Sequence, residues 1–138
     1  MKAIIIFTFS LFFIISCDTS TYTTVNVVNS SSYDLHIKFT ESERFSPGDR
    51  MGQYNDIELK KGGAFSFRLN RFGPSEYRRP NEEIIEIVFL NLNTGEVIKI
   101  IDSKELIFEL FKLENSRSDW QGELSADYLL EITDDLLH

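Results

Sequence analysis

Tyr33-Asp34-Leu35-His36-Ile37-Lys38-Phe39-Thr40 reads as a β-strand with one face in a core and the other in water. Tyr33, Leu35, Ile37 and Phe39 alternate with Asp34, His36, Lys38 and Thr40, the period of two that a pleated strand imposes on its side chains. An α-helix would scatter those four apolar residues around its circumference. On the N-terminal side, Asn29-Ser30-Ser31-Ser32 has the chemistry of a turn, and Thr24 to Asn29 before it places Val25 and Val27 on one face. On the C-terminal side, Glu41 to Asn55 is polar, contains Pro47-Gly48-Asp49 and reads as a long loop.

The same period continues down the chain. Asp56 to Leu59 and Ala64 to Asn70 flank Lys60-Lys61-Gly62-Gly63, the pattern of a hairpin, with Phe65, Phe67 and Leu69 inward and Ser66, Arg68 and Asn70 outward. A second loop, Arg71 to Asn81, precedes another pair, Glu83 to Asn91 and Glu96 to Asp102, joined by Asn93-Thr94-Gly95. Ile84, Ile85, Ile87, Val88, Phe89 and Leu90 leave so little polar surface that this pair is expected in mid-sheet or beneath a cover. Leu106 to Leu113 reads as a strand, although Leu106, Leu110 and Leu113 also fit helical spacing. Asn115 to Ser125 reads as a loop carrying Trp120, and Asp127 to Thr133 as the last strand. Eight strand candidates and no long helix predict an all-β chain. The expected architecture over residues 25–138 is a single antiparallel β-sandwich, Ig-like or similar, of about seven or eight strands.

Ahead of these strands the chain changes character. Met1-Lys2 is a short basic start, and Ala3 to Ile15 is an uncharged, almost wholly apolar run of thirteen residues. As a helix that run spans about 20 Å, short of the roughly 30 Å of a hydrocarbon core, and Ser16 supplies the small residue of a cleavage site. Ile14-Ile15-Ser16-Cys17 resembles the lipobox of bacterial lipoproteins, an aliphatic residue, a tolerant position and a small residue before an obligatory cysteine. The commonest lipobox begins with Leu, where this chain has Ile14. The resemblance implies diacylglycerol on the Cys17 thiol, removal of a 1–16 signal peptide and acylation of the new amino terminus. Residues 17–24, polar and rich in Ser and Thr, would then be a lipidated tether. In some Gram-negative bacteria an Asp directly after the modified cysteine favours retention in the inner membrane, and Asp18 stands there. Other lineages ignore that signal, so either membrane stays open.

Charge narrows the partners. The chain has 14 basic and 22 acidic residues, a formal charge of −8, which becomes −9 when Lys2 leaves with the leader. Nucleic acid is disfavoured, because its binding rests on neutralising phosphates, and so is adhesion to anionic lipid through a broad basic surface. Cys17 is the single cysteine, so no disulfide is expected once it is lipidated, and stability falls to a core that twelve Phe and five Tyr can help fill.

Catalytic chemistry is sparse. Of two histidines, His36 lies on the outward face of its strand and His138 is the last residue. There is no Gly-x-Ser-x-Gly elbow, calcium loop or zinc-ligand set, and the adjacent acids Glu82-Glu83 and Asp134-Asp135 sit near element ends. The expectation is therefore a non-enzyme with no cofactor or metal beyond the covalent lipid.

One feature opposes the acidic balance: Arg68, Arg71, Arg78 and Arg79 are interleaved with Phe72 and Tyr77. Together with Trp120 of Ser118-Asp119-Trp120-Gln121-Gly122, they form the candidate binding loops, since Arg, Tyr and Trp favour binding hot spots. The ordinary alternatives are arginines paired to the chain's own acids and a Trp that lids the core.

The function expected is an exported, membrane-anchored envelope lipoprotein with a binding or accessory domain, held to the membrane by lipid and meeting an envelope protein or a glycan. The alternative is a small periplasmic enzyme or enzyme inhibitor whose site is built from loop carboxylates or arginines. A third reading is an accessory subunit docking by an exposed strand edge, whose signature is an uncovered, weakly charged edge strand.

Overall fold

Alternating segments can bury their apolar faces only against one another, and here they pair into two sheets of four strands. The computed structural model describes residues 20–41, 56–72, 80–118 and 124–138. Strands β1 (Ser20–Asn29), β4 (Ala64–Phe72), β7 (Phe111–Ser118) and β8 (Leu124–Ile132) form one sheet in the order β4-β1-β8-β7. Strands β2 (Leu35–Glu41), β3 (Asp56–Leu59), β5 (Ile84–Asn91) and β6 (Val97–Ile101) form the other in the order β3-β2-β5-β6. Three short helices, α1 (Pro80–Glu83), α2 (Lys104–Leu110) and α3 (Asp134–Leu137), complete the described chain. The all-β expectation holds.

The opening octapeptide behaves as its alternation requires. Leu35, Ile37 and Phe39 are buried, while Lys38 and Thr40 face outward. Both sheets contribute to one buried cluster: Val25, Val27, Phe67, Tyr128 and Leu130 come from the first, and Ile57, Ile87, Phe89 and Ile101 join from the second. The Phe39 and Phe67 rings, one from each sheet, have centroids 5.9 Å apart.

Four expectations need correction. First, the strands are not all antiparallel, because β1 and β8 pair in parallel, with Val25 beside Tyr128 and Val27 beside Leu130. The whole domain lies between these two strands in sequence, so no local turn dictates their direction; shared burial of their inward faces does. Second, Lys60-Lys61-Gly62-Gly63 makes the expected turn, with Gly62 at a φ of 72°, but not a hairpin. Strand β3 pairs with β2 and β4 with β1, so the turn carries the chain from one sheet to the other. Turn chemistry fixes a reversal, not which strands exchange hydrogen bonds.

Third, residues 104–110 are helix and not strand. The Ser103 hydroxyl caps the Leu106 N–H at 3.5 Å, the Ser103 carbonyl accepts the Ile107 N–H, and Ile107 alone of the helix is fully buried. Leu106 and Leu113, two of the three residues of the apparent apolar spacing, are instead more than half exposed. Fourth, two segments expected to be irregular are partly strand. The 115–125 loop gives its start to β7, which runs to Ser118 against β8, and the 17–24 tether gives Ser20 to Thr24 to β1, paired with β4. The Asn93-Thr94-Gly95 hairpin does form: Gly95 has a φ of 74°, and the Asn91 side chain accepts from the Asn93 and Thr94 N–H groups.

Two of the four crossings between sheets, at residues 29–35 and 59–64, are bound together at one end of the molecule by Asn29. Its side chain is fully buried and fully satisfied. Nδ2 donates to the carbonyls of Tyr33 (2.8 Å) and Leu59 (3.1 Å), while Oδ1 accepts from the Ser31 N–H (3.1 Å) and hydroxyl (2.6 Å). The Asn29 backbone accepts from the Gly62 N–H and donates to the Gly63 carbonyl, both at 2.9 Å. A Cβ on Gly63 would stand 2.8 Å from the Lys60 carbonyl, so this corner needs glycine for space.

Helix α3 closes the same end, placing Leu137 in the core and His138 edge-on to Tyr33. Asp134 reaches back to Ser32, accepting from its N–H at 2.7 Å and its hydroxyl at 2.9 Å. Those bonds, the backbone one foremost, hold the Asp134 carboxyl below its usual 3.8. The folded pKa is depressed, so the contribution is complete above 3.8 and fades as pH falls through the lower folded value. In acid titrations followed by circular dichroism, wild type should be the more stable than Asp134→Ala at pH 7, and the gap should close below about pH 3. A gap of constant size across that range would refute the assignment.

Candidate functional site

Strand β6, Val97-Ile98-Lys99-Ile100-Ile101, ends its sheet, and no described strand pairs with its outer side. It holds one charge in five residues. A bulge sets its faces: Ile101 pairs with Ile87 and Ile100 with Val88, but Val97 pairs with Leu90 after the register shifts between Phe89 and Leu90. Val97 and Ile100 therefore both stand on the outer face, 54% and 51% exposed, beside half-buried Val88 and Leu90. Ile98 packs against the core and Ile101 is buried in it.

The surroundings are apolar too. Among the described residues, the large exposed apolar side chains are Ile85, Val97, Ile100, Leu106, Phe108 and Leu113. All six lie on the consecutive elements β5, β6, α2 and β7, on the side where α2 links the edge strands of the two sheets. The other edges are guarded differently. Strand β3 has four residues, two of them acidic, and β7 carries Lys112, Glu114 and Arg117. Strand β4 carries Arg68 and Arg71, with none of the large exposed apolar side chains seen among the described residues. Native edges are commonly blunted by shortness, charge or a bulge; β6 has Lys99 and a bulge, yet it exposes Val97 and Ile100. Of the expectation that the β5–β6 pair sits in mid-sheet or beneath a cover, β5 meets the first part, while β6 is an edge among the described strands. Low polarity marked a strand whose outer face is open as readily as one that is covered.

Beside α2 lies a shallow cleft of about 480 Å³ lined by Glu82, Lys104, Glu105, Phe108 and Glu109. The Glu105 carboxyl is held below its usual range by its own backbone N–H and by the Ser103 hydroxyl, which donates at 2.9 Å. At neutral pH it is ionised, so it accepts hydrogen bonds and offers no proton. No group of three or more His, Cys, Asp or Glu able to hold a metal occurs among the described residues. His36, half-buried on the outer face of β2, forms an ion pair with Asp56 of β3.

Of the residues singled out in the sequence, Arg68 is exposed on β4 opposite Thr24, and Arg71 stands near the end of that strand opposite Thr21. Tyr77, Arg78, Arg79, Trp120 and Cys17 lie outside the described residues. The strand ends that lead to the two expected binding loops do share one end of their sheet. Phe72 pairs with Ser20, Leu124 with Thr21, and Ser118 with Leu124. Sequence reading missed the β6 edge, for which the signal was five residues with a single charge. It also took Asn29 for an ordinary turn residue.

Among the described residues no helix is long and apolar enough to cross a membrane. The chain matches no protein-family model and no curated relative.

Proposed function

We propose that this chain is an exported lipoprotein of the cell envelope whose domain, a single β-sandwich, is a non-enzymatic accessory module docking a partner protein along β6. The sandwich reading is supported by the shared core and the Phe39–Phe67 contact. The anchor reading is supported by Ile14-Ile15-Ser16-Cys17 and the apolar run before it. One observation carries the docking reading: Val97 and Ile100 are exposed on a weakly charged edge strand, and the other large exposed apolar side chains among the described residues lie on β5, α2 and β7, the elements on either side of it in the chain. Such an edge offers unpaired backbone donors and acceptors to an extended segment of a partner, and Val97 and Ile100 offer apolar contact on one face.

The test is a capture experiment from solubilised native envelope, using the acylated protein and its Val97→Lys/Ile100→Lys variant. Both substitutions fall on exposed positions, so the variant should melt within about 3 °C of wild type, as surface changes do. A partner captured by wild type should drop at least about tenfold with the variant, the loss of a few kcal/mol of apolar contact plus added charge. A partner retained in full by a folded variant would refute docking along β6.

A further inference from the structure

The direction of β1 fixes which end of the domain meets the membrane. Its first residue, Ser20, pairs with Phe72 of β4, and Thr21 pairs with Leu124 of β8, itself opposite Ser118 of β7. The last residue of β1, Asn29, pairs with Ile132 at the other end of the sheet. There, hydrogen bonds join the turns: Asn29 to Leu59 and Tyr33, Lys61 N–H to the Asp34 carboxylate, Leu92 N–H to the Asp34 carbonyl, and Ser32 to Asp134. Ten residues of strand put these two ends about 30 Å apart.

Cys17 is three residues before Ser20, a reach of at most about 11 Å. On the lipoprotein reading, from which this inference starts, that tether is far too short to turn the domain end over end. Charge decides between standing and lying flat. Arg68, Arg71 and Arg117 stand at the levels of Thr24, Thr21 and Ser125, in the half of the sheet nearest Ser20, but so do Asp127 beside Thr24 and, in the other sheet, Glu86 beside Thr40 and Asp102 just past Ile101. Toward the Asn29 end lie Asp34, Glu96, Glu131, Asp134 and Asp135, against Lys60 and Lys61. Acids thus stand at both ends, so neither the end nor the flank is a basic surface, and a chain with a formal charge of −8 keeps the least area against an anionic membrane by standing on its tethered end.

We propose that the sheet end formed by Ser20, Phe72, Ser118 and Leu124 rests on the phospholipid headgroup layer, leaving the Asn29 corner as the membrane-distal tip. Strand β6 and its apolar flank then rise along the side of an upright domain, open to a neighbour in the same membrane.

Because the chain has no cysteine besides Cys17, a second one can be labelled alone in the acylated protein. Lys60→Cys places a donor dye at the tip and Ser118→Cys places one at the anchored end; both positions are exposed. Each labelled protein is reconstituted in vesicles of phosphatidylethanolamine and phosphatidylglycerol carrying a headgroup acceptor dye, and donor lifetimes are recorded on protein that floats with the vesicles. The donor at position 118 should be quenched at least twofold more than the donor at position 60. Equal quenching on floating protein would overturn the orientation and leave the anchor intact. Stronger quenching at position 60 would also overturn it. Protein that does not float and bears no lipid on Cys17 would overturn the anchor reading, and this inference with it.

Discussion

Asn29→Ala is expected to destabilise the domain by about 4 kcal/mol, read in thermal unfolding as a fall in Tm of roughly 15 °C for a domain of this size. The side chain joins four backbone or hydroxyl groups from two turns. Its removal leaves the Tyr33 and Leu59 carbonyls and the Ser31 N–H and hydroxyl without that partner in a site closed to water. Each buried polar group so abandoned costs about 1–3 kcal/mol, and relaxation of the turns recovers part of the total. Against an ordinary stability of about 5–15 kcal/mol, that is a large fraction. Asn29→Asp should fare little better, since a carboxylate cannot donate to the two carbonyls and would be a buried charge. Ser31→Ala removes one of the four Asn29 partners and the longer bond from the Tyr33 N–H, and should cost about 1–2 kcal/mol. A Tm for Asn29→Ala within about 3 °C of wild type would show that the corner is held by its backbone bonds alone.

Cys17→Ala is expected to have the opposite pattern, leaving the fold alone and abolishing attachment. One acyl chain gives only marginal, reversible membrane binding, whereas two or more give stable anchoring. Without the thiol there is no site for the diacylglycerol, so radiolabelled fatty acid should vanish from the protein and the membrane-bound pool should lose its acylated species entirely. The domain begins at Ser20, three residues further on, so the Tm of detergent-extracted protein should stay within about 2 °C of wild type. Unchanged fatty-acid labelling of Cys17→Ala would refute lipidation at that residue. Between them the two variants separate folding from delivery: one keeps the lipid and loses stability, the other does the reverse.

Much of the fold was legible because a strand writes its faces in alternate residues. Leu35, Ile37 and Phe39 are buried as read, and so are Val25, Val27 and Phe67. The Asn93-Thr94-Gly95 hairpin was legible because a short loop with a left-handed glycine favours adjacent antiparallel strands. The Lys60–Gly63 turn carried a similar signal and deceived, because pairing is settled by which buried faces meet, here β3 on β2 and β4 on β1. Residues 104–113 misled for a related reason. Their apolar spacing suits either structure, and Ser103 as a helix cap was the decisive local signal. The candidate site was less legible than the fold: a weakly charged β6 reads alike whether a neighbouring strand covers it or not.

By itself, then, the sequence determined where most strands and turns fall, that they bury one face each, and that a stretch resembling a lipobox, Ile14-Ile15-Ser16-Cys17, precedes them. Period-two alternation, turn chemistry and an apolar run are local properties carried by consecutive residues. Tertiary structure alone decided that β1 and β8 lie parallel, that Asn29 fastens two crossings between sheets, and that β6 ends its sheet among the described strands. These are relations between residues up to a hundred positions apart, such as Val27 beside Leu130, and they follow from shared burial, which no single stretch of chain can specify.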